Sequence, residues 1–353
     1  MRARITGVAT YLPERTLTSA DVESRIEGYT PYAGIVERMT GIRRRHVARR
    51  DQQASDLAVE AVRALGTASG TPGTGEPGAD APGTGELPEG GGAGRTGAAP
   101  HADADLLIFA SASQDMVEPA TAHIVAAKLG LSCPVFDVKN ACNSMLNGIQ
   151  VAEALILSGA HRKVLVCSGE TPSRAIRWQV RDRAQFVDSF AGYTLSDSGA
   201  AVLVEADAER GIFYRDFSAD STAWAIGTLP GGGSAHPRDP EYSYFRGDGR
   251  RLKEAFERVG PDIFLTALKK TGLAWDDFAV VAVHQVALPY LRFLAGVLDI
   301  PGEKLVVSLP EHGNCASATL PLQLALGSWR PGDRVALLGL GGGISMGVML
   351  AEM

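Results

Sequence analysis

Three residues of this chain combine a reactive side chain with a position that could use it: Cys142, His284 and Asn314. Cys142 follows the expected strand Val135-Phe136-Asp137-Val138 and opens a helical pattern that continues to Ser158. A thiol at a helix N-terminus faces the positive end of the backbone dipole, which lowers its pKa and favours the nucleophilic thiolate. An unpaired cysteine is equally at home as a small buried hydrophobe, so position alone leaves both readings open. His284 ends the run Val280-Val281-Ala282-Val283, the strand tip at which open α/β sheets present ligand-binding side chains. A satisfied core histidine would read the same way. Asn314, in Glu311-His312-Gly313-Asn314, could be a turn or cap residue. Taken together, a nucleophile, a base and a carboxamide donor suit acyl transfer through a covalent thioester with an oxyanion to be held.

Other motifs carry less. Gly339-Leu340-Gly341-Gly342-Gly343 follows a strand, but Ile344 and the few residues after it do not make a dinucleotide loop. Glycines there fit a backbone that must approach a ligand or another loop closely. The cluster Arg43-Arg44-Arg45-His46 with Arg49 and Arg50 reads as a solvated turn, with an anionic-ligand contact as the alternative. The cysteines Cys133, Cys142, Cys167 and Cys315 form no CxxC pair and no zinc-ligand spacing, so no metal is expected. There is no Gly-x-Ser-x-Gly elbow and no P-loop.

These residues need elements to place them. Apolar runs predict strands at Leu106–Ala110, Val135–Val138, Lys163–Cys167, Ala200–Val204, Ala279–Val283, Leu305–Ser308, Arg334–Leu338 and Met346–Ala351. Helical periodicity predicts helices at Ser55–Leu65, Asn143–Ser158, Arg251–Lys270, Leu288–Leu298 and Ala316–Gly327. Alternation of this kind argues for a mainly parallel sheet covered on both faces. Ser69–Ala104 is a Gly/Pro/Ala/Thr/Glu-rich stretch with almost nothing to bury, expected to be a disordered insert within a domain. Strand, then Asn140-Ala141-Cys142, helix and strand is echoed by strand, Gly313-Asn314-Cys315, helix and strand, which suggests duplicated halves. The expected division is 1–207, carrying Cys142, and 208–353, carrying His284 and Asn314.

The 353 residues are 45% apolar with a net charge of −6, enough for a large core and without a basic footprint for nucleic acid or a membrane surface. No apolar window reaches the length of a membrane span, and Met1-Arg2-Ala3-Arg4 leads into a strand pattern, not a signal peptide. The expected compartment is the cytoplasm, with reduced cysteines.

Phe136-Asp137-Val138, Ala141-Cys142, Val283-His284-Gln285, His312-Gly313-Asn314 and Gly341-Gly342-Gly343 together resemble β-ketoacyl-ACP synthase III, and Thr40-Gly41-Ile42-Arg43-Arg44-Arg45-His46 looks like the same family's N-terminal segment. The resemblance spans nearly the whole chain outside 69–104 and the stretch from Trp178 to Tyr193. It implies the five-layered αβαβα thiolase fold, a dimer, and Cys142, His284 and Asn314 as the catalytic set, with the Gly342 N–H joining that of Cys142 in an oxyanion hole. Family members of the common type clamp coenzyme A with a tryptophan and an arginine where this chain has Ile35 and Met39. An arginine they carry after the His-Gln pair is replaced by Leu288-Pro289. Asp115–Thr121, Asp51–Asp56, Leu146–Ile149, His284-Gln285-Val286 and Glu311–Asn314 look like OleA-type enzymes, which condense two acyl-CoAs head to head. That likeness makes Glu118 a general base reaching into a neighbouring subunit; its plain alternative is a helix-start carboxylate ahead of Pro119. It implies acyl-CoA substrates, no cofactor, and a homodimer, with an acyl carrier protein as donor or a paralogue as dimer partner left open. The alternatives are a decarboxylating β-ketoacyl-ACP synthase III, an acyltransferase of the same fold forming an ester or amide, and a non-catalytic subunit lending Glu118 to a paralogue. Cys315, beside Asn314, reads as a packing residue.

Overall fold

The computed structural model describes residues 1–65 and 99–353. Its first sheet is built from β1 (Arg2–Tyr11), β2 (Leu106–Ala110), β3 (Val135–Val138), β4 (Lys163–Glu170) and β5 (Ser198–Asp207), in the order β1-β5-β4-β2-β3. The second is built from β6 (Ile212–Ala219), β7 (Val280–Val283), β8 (Arg334–Gly341) and β9 (Ser345–Glu352), in the order β7-β8-β9-β6. The main helices are α1 (Ala54–Ala64), α2 (Thr121–Leu129), α3 (Ser144–Leu157), α4 (Gly249–Val259), α5 (Asp262–Thr271), α6 (Leu288–Leu298) and α7 (Thr319–Leu326).

Alternation along the strands sets the layers. Leu106, Ile108 and Ala110 of β2 face inward onto Met145, Leu146, Ile149, Ala152 and Ile156 of α3, and the same core takes in Leu320, Leu322 and Leu324 of α7 and Leu337 of β8. Leu107 and Phe109 face outward onto Ala58, Val62, Ala122 and Val125 of α1 and α2. Val281, Val283, Ala336 and Leu338 turn outward onto Phe264, Leu291 and Leu294 of α5 and α6. Helices, sheet, helices, sheet, helices: this is the αβαβα thiolase fold. The α3 and α7 layer is apolar all round because it is covered from both sides.

The sheets are mixed where the sequence suggested a mainly parallel one. β2 runs parallel to β3 and β4, and β7 to β8, while β1/β5, β4/β5, β8/β9 and β6/β9 are antiparallel. Short apolar strands reveal burial and say nothing of direction. The second sheet repeats the first strand for strand: β6 stands for β1, β7 for β2, β8 for β4 and β9 for β5. The place of β3 falls to the segment expected to be a strand at 305–308. Only Leu305 bridges, to Val281. Beyond it the Gln285 side chain replaces the ladder, donating to the Val306 carbonyl (2.7 Å) and accepting from the N–H groups of Ser308 (3.2 Å) and Leu309 (3.1 Å).

Two further expectations change. The single helix expected from Arg251 to Lys270 is two, because Gly260, at φ +79°, closes α4 and Pro261, without an N–H, starts a new one. The end of the low-complexity stretch is built into the protein: Ala104 lies in the outer core, His101 is buried, and Asp103 pairs with Lys163 at 2.6 Å. The rest of that stretch, 69–98, lies outside the described residues. No helix among the described residues is long and apolar enough to cross a membrane.

Candidate active site

Between β3 and α3 the chain makes a tight turn with Ala141 in the left-handed region, at φ 46°. Ser144 fixes it: its hydroxyl accepts from the Asn140 N–H (2.8 Å) and donates to the Ala141 carbonyl (2.7 Å). Asn143, just before α3, reaches across to the second half, donating from Nδ2 to the Ser345 carbonyl and hydroxyl at 3.0 Å. It fits because β8 ends in glycines. A Cβ at Gly339 would lie 2.2 Å from Asn143 Oδ1, and one at Gly341 would lie 2.8 Å from Ser345 Oγ and 3.1 Å from Asn143 Nδ2. The glycine run is therefore a close approach between loops.

That contact brings the Gly342 N–H to the Cys142 thiol. The sequence suggested a thiol made acidic by the helix dipole. Burial outweighs it. Desolvation, with the charge of Glu170 beside it, pushes Cys142 up to about 12 despite the N–H groups of Cys142 and Gly342 that favour the anion. The resting sulfur is a neutral thiol with two N–H donors beside it, the arrangement an oxyanion hole would need.

His284 sits one residue beyond β7. Its N–H donates to the Leu338 carbonyl at 2.9 Å, which sets it alongside the start of the glycine run. The ring is buried, desolvation holds it down to about 4, and neither ring nitrogen has a partner among the described residues. A neutral imidazole so placed keeps one N–H to give to a ligand oxygen.

Asn314 is anchored by its backbone: its N–H donates to the Thr194 carbonyl (2.8 Å), and its carbonyl accepts from Ser196 N–H (2.9 Å). Its Oδ1 accepts from the Ala316 N–H at 3.1 Å, whereas among the described residues Nδ2 has only Thr194 Oγ1 at 3.5 Å. The amide therefore presents unspent donors. Cys315 is buried and donates to the His312 carbonyl at 3.4 Å, as a packing residue should.

Glu118 stands on an exposed ledge that is pinned at both ends. At one end the Asp115 carboxylate accepts from the Ser55 N–H (3.0 Å) and hydroxyl. At the other, Asp137 of β3 accepts from the N–H groups of Thr121 (2.9 Å) and Ala122 (2.8 Å), and so caps α2. The helix-start role that could have explained Glu118 is thus filled by another residue. Between the pins, Met116 is 48% and Val117 74% exposed, next to β3, the sheet edge.

The basic segment is solvated along Arg43, Arg44, Arg49 and Arg50, which are exposed, but Arg44–His46 is a short strand and not a turn. Arg43 and Arg44 both pair with Glu311, and Arg43 N–H donates to Pro310 O at 2.8 Å. His46 Nε2 meets His312 Nδ1 at 3.1 Å, and Arg45 is wholly buried against Ser19. The segment clamps the turn that carries Asn314.

Two buried residues near the site went unread in the sequence. Glu170 extends a strand expected to stop at Cys167. Ser317 comes directly after Ala316, which at φ 49° matches Ala141, so the counterpart of Cys142 is Ser317, two residues later than the spacing of the two Asn-containing turns suggested.

The 3-oxoacyl-[acyl-carrier-protein (ACP)] synthase III family profile matches residues 136–221, and its C-terminal companion matches 268–353. A β-ketoacyl-[acyl-carrier-protein] synthase III of Desulfitobacterium hafniense is 30% identical over 359 aligned positions, covering 99% of this chain and 97% of that one. The chain belongs to the β-ketoacyl-ACP synthase III family. A 2.1 Å crystal structure of a 3-oxoacyl-(acyl-carrier-protein) synthase III superposes with a TM-score of 0.81 at 25% identity, covering all of both chains. OleA of Xanthomonas campestris, crystallised with lauric acid and lauroyl-CoA, shares the fold: TM-score 0.81, 24% identity, 100% of this chain and 99% of that one. This synthase III enzyme is an acyltransferase of the 3-oxoacyl synthase type, a condensing enzyme.

Proposed function

We propose that this enzyme joins two acyl-CoA thioesters without loss of carbon dioxide. The Cys142 sulfur attacks the carbonyl carbon of the first acyl-CoA, and coenzyme A departs as the thiol, taking the proton that Cys142 gives up. The oxyanion formed on the way is held by the N–H groups of Cys142 and Gly342. The second acyl-CoA places its carbonyl oxygen against His284 and Asn314, whose neutral donors stabilise the enolate formed when Glu118 of the partner subunit removes the Cα proton. The enolate carbon attacks the Cys142 thioester and the sulfur leaves. The product is a 2-alkyl-3-ketoacyl thioester.

The observation that carries this reading is the ledge. A decarboxylating synthase makes its carbanion by releasing carbon dioxide and needs no base at Cα. Here a carboxylate free of any cap duty projects between exposed apolar residues at the sheet edge, where a second copy of the chain would dock. Arg43 and Arg44, two candidates for a carrier's phosphate, are engaged by Glu311. OleA has itself been crystallised as cysteine, histidine and glutamate variants.

The test is incubation with long-chain acyl-CoA, with and without malonyl-CoA, and product mass analysis. The proposal expects condensation without malonyl-CoA, lost in Glu118→Ala. A strict malonyl requirement with Glu118→Ala fully active would establish the decarboxylating reaction instead, which is the second reading and the one favoured by the name of the full-length relative.

A further inference from the structure

Glu170 ends β4 fully buried, and none of the steps above uses it. Its carboxylate is met from two directions. Oε1 accepts from the Ala112 N–H (2.9 Å), the Ser317 hydroxyl (2.5 Å) and the Ser317 N–H (3.4 Å). Oε2 accepts from the Ser113 hydroxyl at 2.9 Å. The Thr171 N–H donates to that same hydroxyl at 3.0 Å, which leaves the Ser113 proton for the carboxylate. The backbone N–H groups and the Ser113 hydroxyl donate to the carboxylate, and the Ser317 hydroxyl, which also lies 3.3 Å from the Ala110 carbonyl, is close enough to do the same, a set that can hold the ionised form. None of these partners carries a positive charge: burial pushes the Glu170 carboxyl above its ordinary range, and the hydrogen bonds from Ser317, Ala112 and Ser113, which favour the anion, oppose that rise.

The two ends of this cradle belong to the two halves of the site. Ala112 and Ser113 lead from β2 to the ledge of Glu118. Ser317, bonded also to Ser168 Oγ at 2.7 Å, lies three residues after Asn314 and is the second-half counterpart of Cys142. The titratable groups that face Glu170 are the thiols of Cys142, after β3, and Cys315, before α7.

We infer that Glu170 is a positioning residue: it ties the segment leading to Glu118 to the turn after Asn314, and it sets a fixed negative charge behind the Cys142 thiol. The charge opposes a free thiolate and leaves a neutral thiol or thioester unaffected. The sulfur therefore waits as a thiol and ionises only in the course of acyl transfer, when its proton departs with the leaving group. For its meaning in turnover the inference rests on the condensing role proposed above; its test does not.

The test is the rate of Cys142 carbamidomethylation by iodoacetamide as a function of pH, read by peptide mass spectrometry on the purified full chain. In the wild-type enzyme the midpoint is expected above the ordinary thiol range, and a midpoint below it overturns the inference whether or not any variant folds. Glu170→Gln keeps the shape and removes the charge. It should lower the midpoint by about one pH unit, about a tenfold faster reaction below the midpoint, while a folded Glu170→Gln with an unchanged midpoint overturns the inference. Should that variant fail to fold, Glu170→Asp decides: with the charge kept, the midpoint should stay at the wild-type value while condensation slows, and a falling midpoint counts against the charge's role. A failure of condensation in the wild-type enzyme, with these midpoints as expected, would refute the proposed function and leave the role of Glu170 standing.

Discussion

The turn before α3 and the turn before α7 share one backbone device, an alanine in the left-handed region at φ 46° in Ala141 and 49° in Ala316. They differ in the next residue. After Ala141 comes a cysteine that is only partly buried and lies against the glycine run. After Ala316 comes a serine that is fully enclosed and hydrogen-bonded to Ser168 and Glu170. The repeated topology gives two equivalent kinks, one ahead of each central helix. One keeps an open face and carries Cys142, the proposed nucleophile. The other became internal scaffolding, and its half contributes instead the two unspent donors His284 and Asn314. The comparison teaches that the fold sets where a reactive residue can stand, and that on the proposed function access separates the place that is used from the place that is not.

The largest effect expected from breaking this asymmetry is at the sulfur. Cys142→Ala should abolish acyl-enzyme formation in intact-mass spectra and reduce turnover by about 10³-fold or more. Adding Ser317→Cys to that variant should restore neither, because the second kink has no access; an acyl adduct at position 317 would refute the importance of burial there.

Next come the donors. His284→Ala should cost about 10²–10³-fold in kcat, the size seen when one oxyanion donor is removed, with the alkylation of Cys142 by iodoacetamide retained. A loss of both would mean that the histidine shapes the thiol's surroundings and does not act on substrate.

A structural break is expected at the seam between the halves. Gly339→Ala would push a Cβ into Asn143 Oδ1 and displace the turn that holds Cys142. It should destabilise the fold by about 1–3 kcal/mol in thermal or denaturant unfolding and lower activity with it. An unchanged melting curve would show that Asn143 can move aside freely.

The mildest effect is with pH. His284 is held down to about 4 in the folded enzyme, below its ordinary 6.5. As pH falls through that window the unfolded chain takes up a proton that the folded one refuses, so stability declines from about pH 6.5 towards 4 and is flat above. Turnover should correspondingly show no histidine step near pH 6.5. A step there that vanishes in His284→Ala would contradict a neutral, desolvated imidazole.

Much of this was legible in the sequence, and the reasons differ by level. The strand at 106–110 and the helix at 288–298 stood out because burial on both faces writes a continuous apolar run and a covered helix writes a 3.6-residue period. Strand direction was not legible, since periodicity carries none. The missing strand at 305–308 was not legible either, since a single side chain, Gln285, does the work of a ladder. Cys142 and His284 stood out as residue types at strand-to-helix junctions and Asn314 as one in a glycine-containing turn, whereas Gly342, in the turn between two strands, was singled out only by the family resemblance. Glu170 was not, because an acid at the end of an apolar strand looks like a solvent-facing terminus until the opposite half closes over it. The acidity of Cys142 was misjudged for the same reason: the helix dipole is local and readable, whereas desolvation comes from residues far away in the chain.

The central claim is that an acid draws off a Cα proton to start the bond. The most direct measurement is release of label to solvent from acyl-CoA deuterated at Cα, without malonyl-CoA, monitored alongside product. The account predicts label released in step with condensed product by the wild-type enzyme, and no release by Glu118→Ala although Cys142 still acylates. Product that forms with all of its α-label retained, or release that persists in Glu118→Ala, would contradict it.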